Sequence, residues 1–163
     1  MINLYWFKLK ERNGNFGDEL NCYLVEKLSG SKVRHIIIPS SGFHYIYKSI
    51  SFIYHGVVSV KDYGKLFHQF FINNIIVSIG SVISVPNNRK TKIWGSGIIS
   101  RNDNINKAVF LAVRGKYTQK RIFELGFQPP EIIGDPAILL PLVYKPKDLG
   151  KKYKLGIIPH HIH

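Results

Sequence analysis

Short, mainly apolar runs, each followed by a glycine-containing loop, constrain the fold of this chain more than any other feature. Such runs lie at 2–7, 75–79, 92–94 and 109–113, with Asn3, Ser78 and Lys92 as their polar residues, and amphipathic stretches separate several of them. Strands that are apolar throughout are expected where helices cover both faces of a parallel sheet. The sequence therefore predicts an α/β domain with a doubly wound, mainly parallel, Rossmann-like sheet. Further strands are expected at 33–38 and 155–158.

Two segments have the pattern of amphipathic helices. The segment from Asp18 to Ser29 has leucines four residues apart, and we predict a helix there with Asp18 as N-cap and Gly30 as its stop. A second helix is expected near 116–125, ended by Gly126. The aromatic-rich region 43–71 is ambiguous and is compatible with helices near 43–53 and 62–72.

The charge of the chain favours anionic partners. There are 23 Lys and Arg residues against 10 Asp and Glu, which gives a formal net charge of +13. The stretch from Arg89 to Arg121 holds nine basic residues and only Asp103 as an acid. Phosphates, acidic glycans, nucleic acid and an anionic membrane face are the partners that such a charge attracts.

Composition also restricts the class and the compartment. An apolar fraction of 45% can fill a core, which argues against a disordered tail, and a single cysteine, Cys22, excludes an intrachain disulfide. The first residues do not have the pattern of a secretory signal, and no run of about 18 apolar residues is present. We expect a cytoplasmic protein. A peripheral position at the inner face of the membrane is compatible with that expectation.

Three glycine-containing loops follow predicted strands and are candidate ligand-binding loops. The first holds Asn15, Gly17 and Asp18, just before the predicted first helix; the others are Gly80-Ser81 and Gly95-Ser96-Gly97. In parallel α/β sheets, ligands bind beyond the carboxyl ends of the strands, where these loops are expected to meet. None has a phosphate-loop or dinucleotide-binding spacing. Helix capping or tight backbone packing remains an alternative explanation for each loop.

Three further positions carry polar groups at the ends of predicted elements. Arg114 ends the strand at 109–113, where its guanidinium can bind a phosphate or carboxylate, or form a structural ion pair. Asp135 is expected to be a turn or cap residue. The chain ends in a histidine cluster that includes His160, for which we predict no metal site because no acidic or cysteine partner follows it.

Six segments, in this order, resemble the polysaccharide pyruvyltransferase family. They are Asn15–Glu19, Val77–Ser81, Trp94–Ile98, Val113–Gly115, Gly134–Pro141 and Gly156–His160. The resemblance implies a glycosyltransferase-B-like fold of two domains. It also implies transfer of pyruvate from phosphoenolpyruvate, as a cyclic ketal, onto a sugar of a cell-surface polysaccharide or of its lipid-linked precursor.

The resemblance covers the N-terminal half of such an enzyme. It implies a Rossmann-like domain at 1–152, with 153–163 starting an interdomain or C-terminal segment. The family's catalytic histidine lies in a Ser-x-x-His-Gly motif that this sequence does not contain, so the catalytic residue is not assigned. We expect the chain alone to be inactive and to need a C-terminal partner domain. His161 and His163 also depart from the Tyr and Asp that family members usually have.

The resemblance assigns substrates to the candidate residues. Asn15, Gly17, Asp18, Gly80, Ser81 and Gly95–Gly97 would bind the acceptor sugar, Arg114 would contact phosphoenolpyruvate, and His160 would also bind substrate. Phosphoenolpyruvate is a donor substrate, and no cofactor or metal is expected. The alternatives are a non-catalytic glycan-binding or truncated module, which would include a homo-oligomer, and a glycosyltransferase of similar fold. Nucleic acid is not expected as a partner, because the aromatic residues are not interleaved with the basic stretch.

Overall fold

A five-stranded parallel sheet forms the centre of the protein. The computed structural model describes residues 1–7, 15–36, 50, 54, 74–84, 90–147, 150 and 153–157. The strands are β1 (Ile2–Tyr5), β2 (Val33–His35), β3 (Ile76–Val77), β4 (Lys92–Trp94) and β5 (Val109–Ala112). Their order is β2-β1-β3-β4-β5, and all four neighbouring pairs are parallel. The predicted α/β class and parallel sheet are confirmed.

Helices connect or follow these strands. They are α1 (Phe16–Ser29), α2 (Lys116–Glu124), a 3₁₀ turn (Pro136–Leu139) and α3 (Leu140–Val143). α1 begins two residues earlier than predicted, so the prediction of Asp18 as its N-cap is wrong. Asn15 is the cap, because its side-chain oxygen accepts the Gly17 N–H at 2.8 Å, and Asp18 lies in the first turn. Gly30, at φ 65°, ends α1 as predicted.

Apolar side chains cover both faces of the sheet. On one face, Leu4 of β1 packs in one cluster with Val25 of α1, which Ile76 and Trp94 join. On the other face, a cluster contains Val77, Ile93 and Ile122 of α2, among other residues. Neighbouring residues of β3 and of β4 thus pack on opposite faces of the sheet, as expected where helices cover both faces. The sheet is doubly wound.

Several predicted boundaries differ from the structure. β4 has the predicted bounds, whereas β3 keeps only Ile76–Val77 of the predicted strand at 75–79. Residues 155–157 form no strand, so that prediction is wrong for the residues described there. The ambiguous helices at 43–53 and 62–72, apart from Ile50, and His160 lie outside the described residues. Within the described part of the chain, no helix has the length and apolar character needed to cross a membrane.

Candidate functional site

The order of the strands places a topological switch point between β1 and β3. From β1 the chain passes to the edge strand β2, and β3, β4 and β5 then continue on the other side of β1. In sheets of this kind the loops after the two central strands diverge and leave a crevice at the carboxyl edge. Here the described segments at that edge are the start of α1, from Asn15, and the loop 78–84 after β3.

Asn21 joins α1 to the loop after β3. Its side chain is fully buried, and its amide donates to the Ile79 carbonyl at 3.0 Å while its oxygen accepts the Ile79 N–H at 2.8 Å. The amide group also donates to the Asp18 carbonyl at 3.0 Å. Asn21 therefore pairs with both backbone groups of Ile79 and fixes the start of α1 against β3.

Asp18 lies beside Gly80 at this crevice. Gly80 has a φ of 110°, and a Cβ atom at that position would lie 3.6 Å from Asp18 Oδ1. The glycine thus satisfies the backbone conformation, and a Cβ there would be in ordinary van der Waals contact with the carboxylate. The structure brings together Asp18 and Gly80, two of the sequence-predicted residues. Asn15 and Gly17 lie at the cap of the same helix.

The loop 95–97 packs closely against its neighbours. Ser96 is fully buried, and its hydroxyl donates to the Gly80 carbonyl at 2.8 Å. A Cβ at Gly95 would lie 2.1 Å from Pro136 Cδ, and one at Gly97 would lie 2.6 Å from Arg114 Nε. These small residues are required by close packing, and Ser96 holds the Gly80 loop in place.

Arg114 binds Ser81, the second residue of the Gly80-Ser81 turn. Its guanidinium donates to Ser81 Oγ at 2.5 Å and to the Ile98 carbonyl at 2.6 Å. The side chain is half-buried, and no described acidic side chain lies within ion-pair distance of it. A guanidinium has five N–H donors, so donors remain for an anionic ligand. Within the described residues, the alternative of a structural ion pair for Arg114 is not observed.

The environment of Asp18 at the crevice shifts the pKa of its carboxyl group. Burial raises the pKa of the Asp18 carboxyl, and the charge of Glu19 raises it further. Burial also raises the pKa of Tyr5 to about 12, with a smaller contribution from the negative charge of Asp18. Tyr5 ends β1, so the phenol and the carboxylate belong to the same edge of the sheet.

The shifted pKa of Tyr5 predicts an alkaline effect on stability. Between the ordinary pKa of 10.0 and about 12, the folded state retains a proton that the unfolded state loses, so the free energy of unfolding falls as the pH rises. The loss reaches at most about 2–3 kcal/mol. Tyr5→Phe removes this contribution, and the variant should gain stability relative to the wild type as the pH rises.

Urea denaturation between about pH 9 and pH 11 measures this difference. Tyr117→Phe is the matched control for loss of one tyrosine hydroxyl, because Tyr117 is exposed on α2. Identical pH profiles for the two variants would contradict the assignment to Tyr5.

The assembled candidate site consists of Asp18, Gly80, Ser81 and Arg114. A Cβ at Gly80 would lie 3.6 Å from Asp18 Oδ1, and Ser81 binds Arg114, so a carboxylate and a guanidinium each lie close to a residue of the same turn. Such a site can accept hydrogen bonds from hydroxyl groups at one end and bind an anion at the other.

Sequence reasoning missed several buried polar residues around this site. Asn21 and Thr118 each bind the backbone of a site loop, and Tyr5 interacts with the charge of Asp18. The hydroxyl of Ser78 is buried at the end of β3 and has no hydrogen-bond partner among the described residues. Ser78, a polar residue inside the predicted apolar strand, was the available signal, whereas nothing near Asn21 in the sequence indicates its burial. The role predicted for Asp135 is confirmed, since its side chain accepts the Ala137 N–H at 3.0 Å and caps the 3₁₀ turn.

Comparisons provide no relative from which a function can be transferred. No family model, curated protein or solved structure matches the chain. In the part of the chain that the structure describes, no three His, Cys, Asp or Glu side chains cluster in a way that could hold a metal ion.

Proposed function

We propose that the chain forms the acceptor-binding and donor-binding wall of a pyruvyltransferase-like enzyme with a glycosyltransferase-B-like architecture. The observation that supports this best is that Asp18 lies next to Gly80 while Arg114 binds the neighbouring Ser81. The enzyme would transfer pyruvate from phosphoenolpyruvate onto a sugar of a polysaccharide or of its lipid-linked precursor.

Arg114 suits the donor. Phosphoenolpyruvate carries a carboxylate and a phosphate, and the planar guanidinium can donate two parallel hydrogen bonds to either group. The bonds to Ser81 and Ile98 hold the guanidinium in one orientation before a ligand arrives. Such preorganisation lowers the entropic cost of binding.

Asp18 suits the acceptor. Its carboxylate accepts hydrogen bonds, and a sugar presents hydroxyl donors that match it. Its raised pKa makes it a better proton acceptor than an ordinary aspartate while it remains ionised.

The transfer forms two carbon–oxygen bonds and breaks one. Both acceptor hydroxyl oxygens bond to the central carbon of the enolpyruvyl group, and its bond to the phosphate oxygen breaks. The two hydroxyl protons are accounted for as follows. The methylene carbon gains one and becomes a methyl group, and the released phosphate gains the other. The family resemblance implies that a further domain supplies the acid for this step.

Replacing Arg114 tests the donor assignment. We expect Arg114→Gln to weaken phosphoenolpyruvate binding about tenfold or more, because a charge-assisted hydrogen-bond pair is lost. Arg114→Lys keeps the positive charge but loses the planar guanidinium that donates two parallel hydrogen bonds, so this variant should also bind phosphoenolpyruvate more weakly. Isothermal titration calorimetry measures the dissociation constants. Circular dichroism and thermal unfolding show whether each variant keeps the fold.

Lys107→Gln is the matched control, because Lys107 is exposed and lies outside the candidate site. Equal loss of affinity in this variant, or wild-type binding no tighter than that of sulfate, would contradict the donor assignment. Acceptor-dependent phosphate release in the presence of a galactoside tests the transfer itself. Turnover by this chain alone would support the transfer and contradict the expectation that a second domain is needed.

A further inference from the structure

Two adjoining clefts lie along α2, outside the Asp18–Gly80 crevice. The larger, of about 380 Å³, is lined by Arg101, Arg114 and Tyr117, among other residues, and the smaller, of about 280 Å³, extends to Lys120 and Arg121. Both are lined by Ile98, Arg101 and Tyr117, and we call them together the basic cleft. The larger one falls within the size range of small-molecule sites.

The positive charge of the basic cleft is only partly neutralised. Asp103 is the single acid in the stretch from Arg89 to Arg121. Its side-chain oxygen accepts the Ile99 N–H at 2.7 Å, a contact within its own turn. Glu124 pairs with Lys120 and with Arg121, at 3.9 and 3.4 Å. Among the described residues, no acidic group is within ion-pair distance of Arg101 or of Arg114. Two arginines therefore remain available to an anion.

The walls of the cleft are held by buried hydrogen bonds. Thr118 is buried, and its hydroxyl accepts the Ile98 N–H at 3.2 Å. Arg121 donates to the Asp103 carbonyl at 2.8 Å and so ties the 98–103 loop to α2. A ligand would thus meet a formed site, which lowers the cost of ordering it.

Tyr117 adds a flat apolar surface to this charged cleft. Its side chain is 70% exposed, and the Arg101 guanidinium carbon lies 5.5 Å from the ring centroid. The N–H groups of an arginine guanidinium match the spacing of phosphate oxygens. An exposed aromatic ring can pack against a sugar or an isoprenoid group. Two unneutralised arginines in one cleft match two linked phosphates better than one isolated anion.

We propose that the basic cleft binds the diphosphate group of an organic diphosphate ester, with the organic part against Tyr117. The ester is either a membrane-anchored lipid or a soluble sugar diphosphate, and both present the same charged group. This inference goes beyond the proposed pyruvyl transfer, because diphosphate binding is measured without turnover. Arg114 belongs to both sites, so the test changes Arg101 and Tyr117.

Inorganic diphosphate is the first probe, titrated calorimetrically into the full chain. We expect saturable binding at millimolar concentration or below. Arg101→Gln should weaken it about tenfold, because a charge-assisted contact is lost. Lys107→Gln, the matched charge control, should change it less than about twofold. Arg101 is exposed, and thermal unfolding of the variant verifies that the fold is kept.

Two further probes distinguish the sources of the diphosphate. A soluble sugar diphosphate is titrated in the same way, and vesicles that contain a polyprenyl diphosphate are sedimented with the protein. Tyr117→Leu should weaken binding of the preferred ester and leave that of inorganic diphosphate nearly unchanged. Binding of either ester that depends on Arg101 supports the proposal.

Absence of saturable binding to inorganic diphosphate and to both esters would overturn the proposal, as would equal losses in the Arg101 and Lys107 variants. Binding of single-stranded DNA without diphosphate binding would overturn it in favour of a nucleic-acid surface. If the wild-type chain binds diphosphate but not phosphoenolpyruvate, only the proposed function is refuted. If it binds phosphoenolpyruvate but neither diphosphate nor the two esters, only this inference is refuted.

Discussion

Gly95→Ala is expected to destabilise the protein by about 2–4 kcal/mol, since it combines a steric clash with backbone strain. A Cβ at this position would lie 2.1 and 2.4 Å from ring atoms of Pro136 and 3.0 Å from the Gly134 carbonyl oxygen. The ring of Pro136 is buried and rigid, so it cannot move aside as a flexible side chain would. The Gly95 N–H also donates to the Ala112 carbonyl at 2.9 Å, which fixes the backbone of the loop.

Gly126→Ala separates the clash from the strain. Gly126 has a φ of 79°, close to the 86° of Gly95, but nothing lies within 4 Å of its Cβ position. We expect this control to lose only about 1–2 kcal/mol, the cost of the left-handed conformation alone. Guanidinium denaturation measures both free energies of unfolding. Equal losses would mean that Pro136 moves and that the close approach is not required.

Asn21→Ala is the second change with a large expected effect, about 2–4 kcal/mol. The substitution removes the amide that pairs with both backbone groups of Ile79 and leaves these groups buried without that partner. An unsatisfied buried donor or acceptor costs more than the net value of the hydrogen bond it has lost. The loop after β3 should loosen as well, because the same side chain ties it to α1.

Asn15→Ala is the control for loss of an asparagine from the same helix. Asn15 is exposed and makes one capping hydrogen bond, so its loss should cost about 1 kcal/mol. Hydrogen exchange at the Ile79 amide gives a local measure beside the global free energy of unfolding. If Asn21→Ala costs no more than Asn15→Ala, Asn21 does not have the role that its contacts suggest.

The strands were predictable where the local pattern alone determines them. The bounds of β4 agree because Lys92–Trp94 lies directly before a glycine-rich turn. The start of α1 was misplaced because Asn15 and Asp18 are both good capping residues. The choice between them depends on which side chain reaches a free N–H group. The strand expected at 155–158 shows that an apolar run alone does not identify a strand; residues 155–157 pair with no neighbour in the described sheet.

The candidate site was predictable as a set of loops but not as a set of contacts. The rule for carboxyl ends of parallel strands placed Gly80, Gly95 and Arg114 at one edge. It did not indicate that Arg114 binds Ser81, 33 residues away, or that Gly97 is needed to admit the guanidinium. Asn21 was missed because a polar residue among leucines predicts an exposed helix position. Its burial depends on the loop after β3, 58 residues away.

The order of the strands also affects how the protein assembles. β3, β4 and β5 follow one another along the chain, whereas Leu4 pairs with Ile76, which is distant in the sequence, so that this pairing costs more chain entropy. Asp18 belongs to the part formed by β1, α1 and β2, while Ser81 and Arg114 belong to the part formed by β3, β4 and β5. The candidate site therefore lies between these two parts of the sheet, which Asn21 and Ile79 join. A ligand that contacts both Asp18 and Arg114 would hold the two parts together and stabilise the whole domain by mass action.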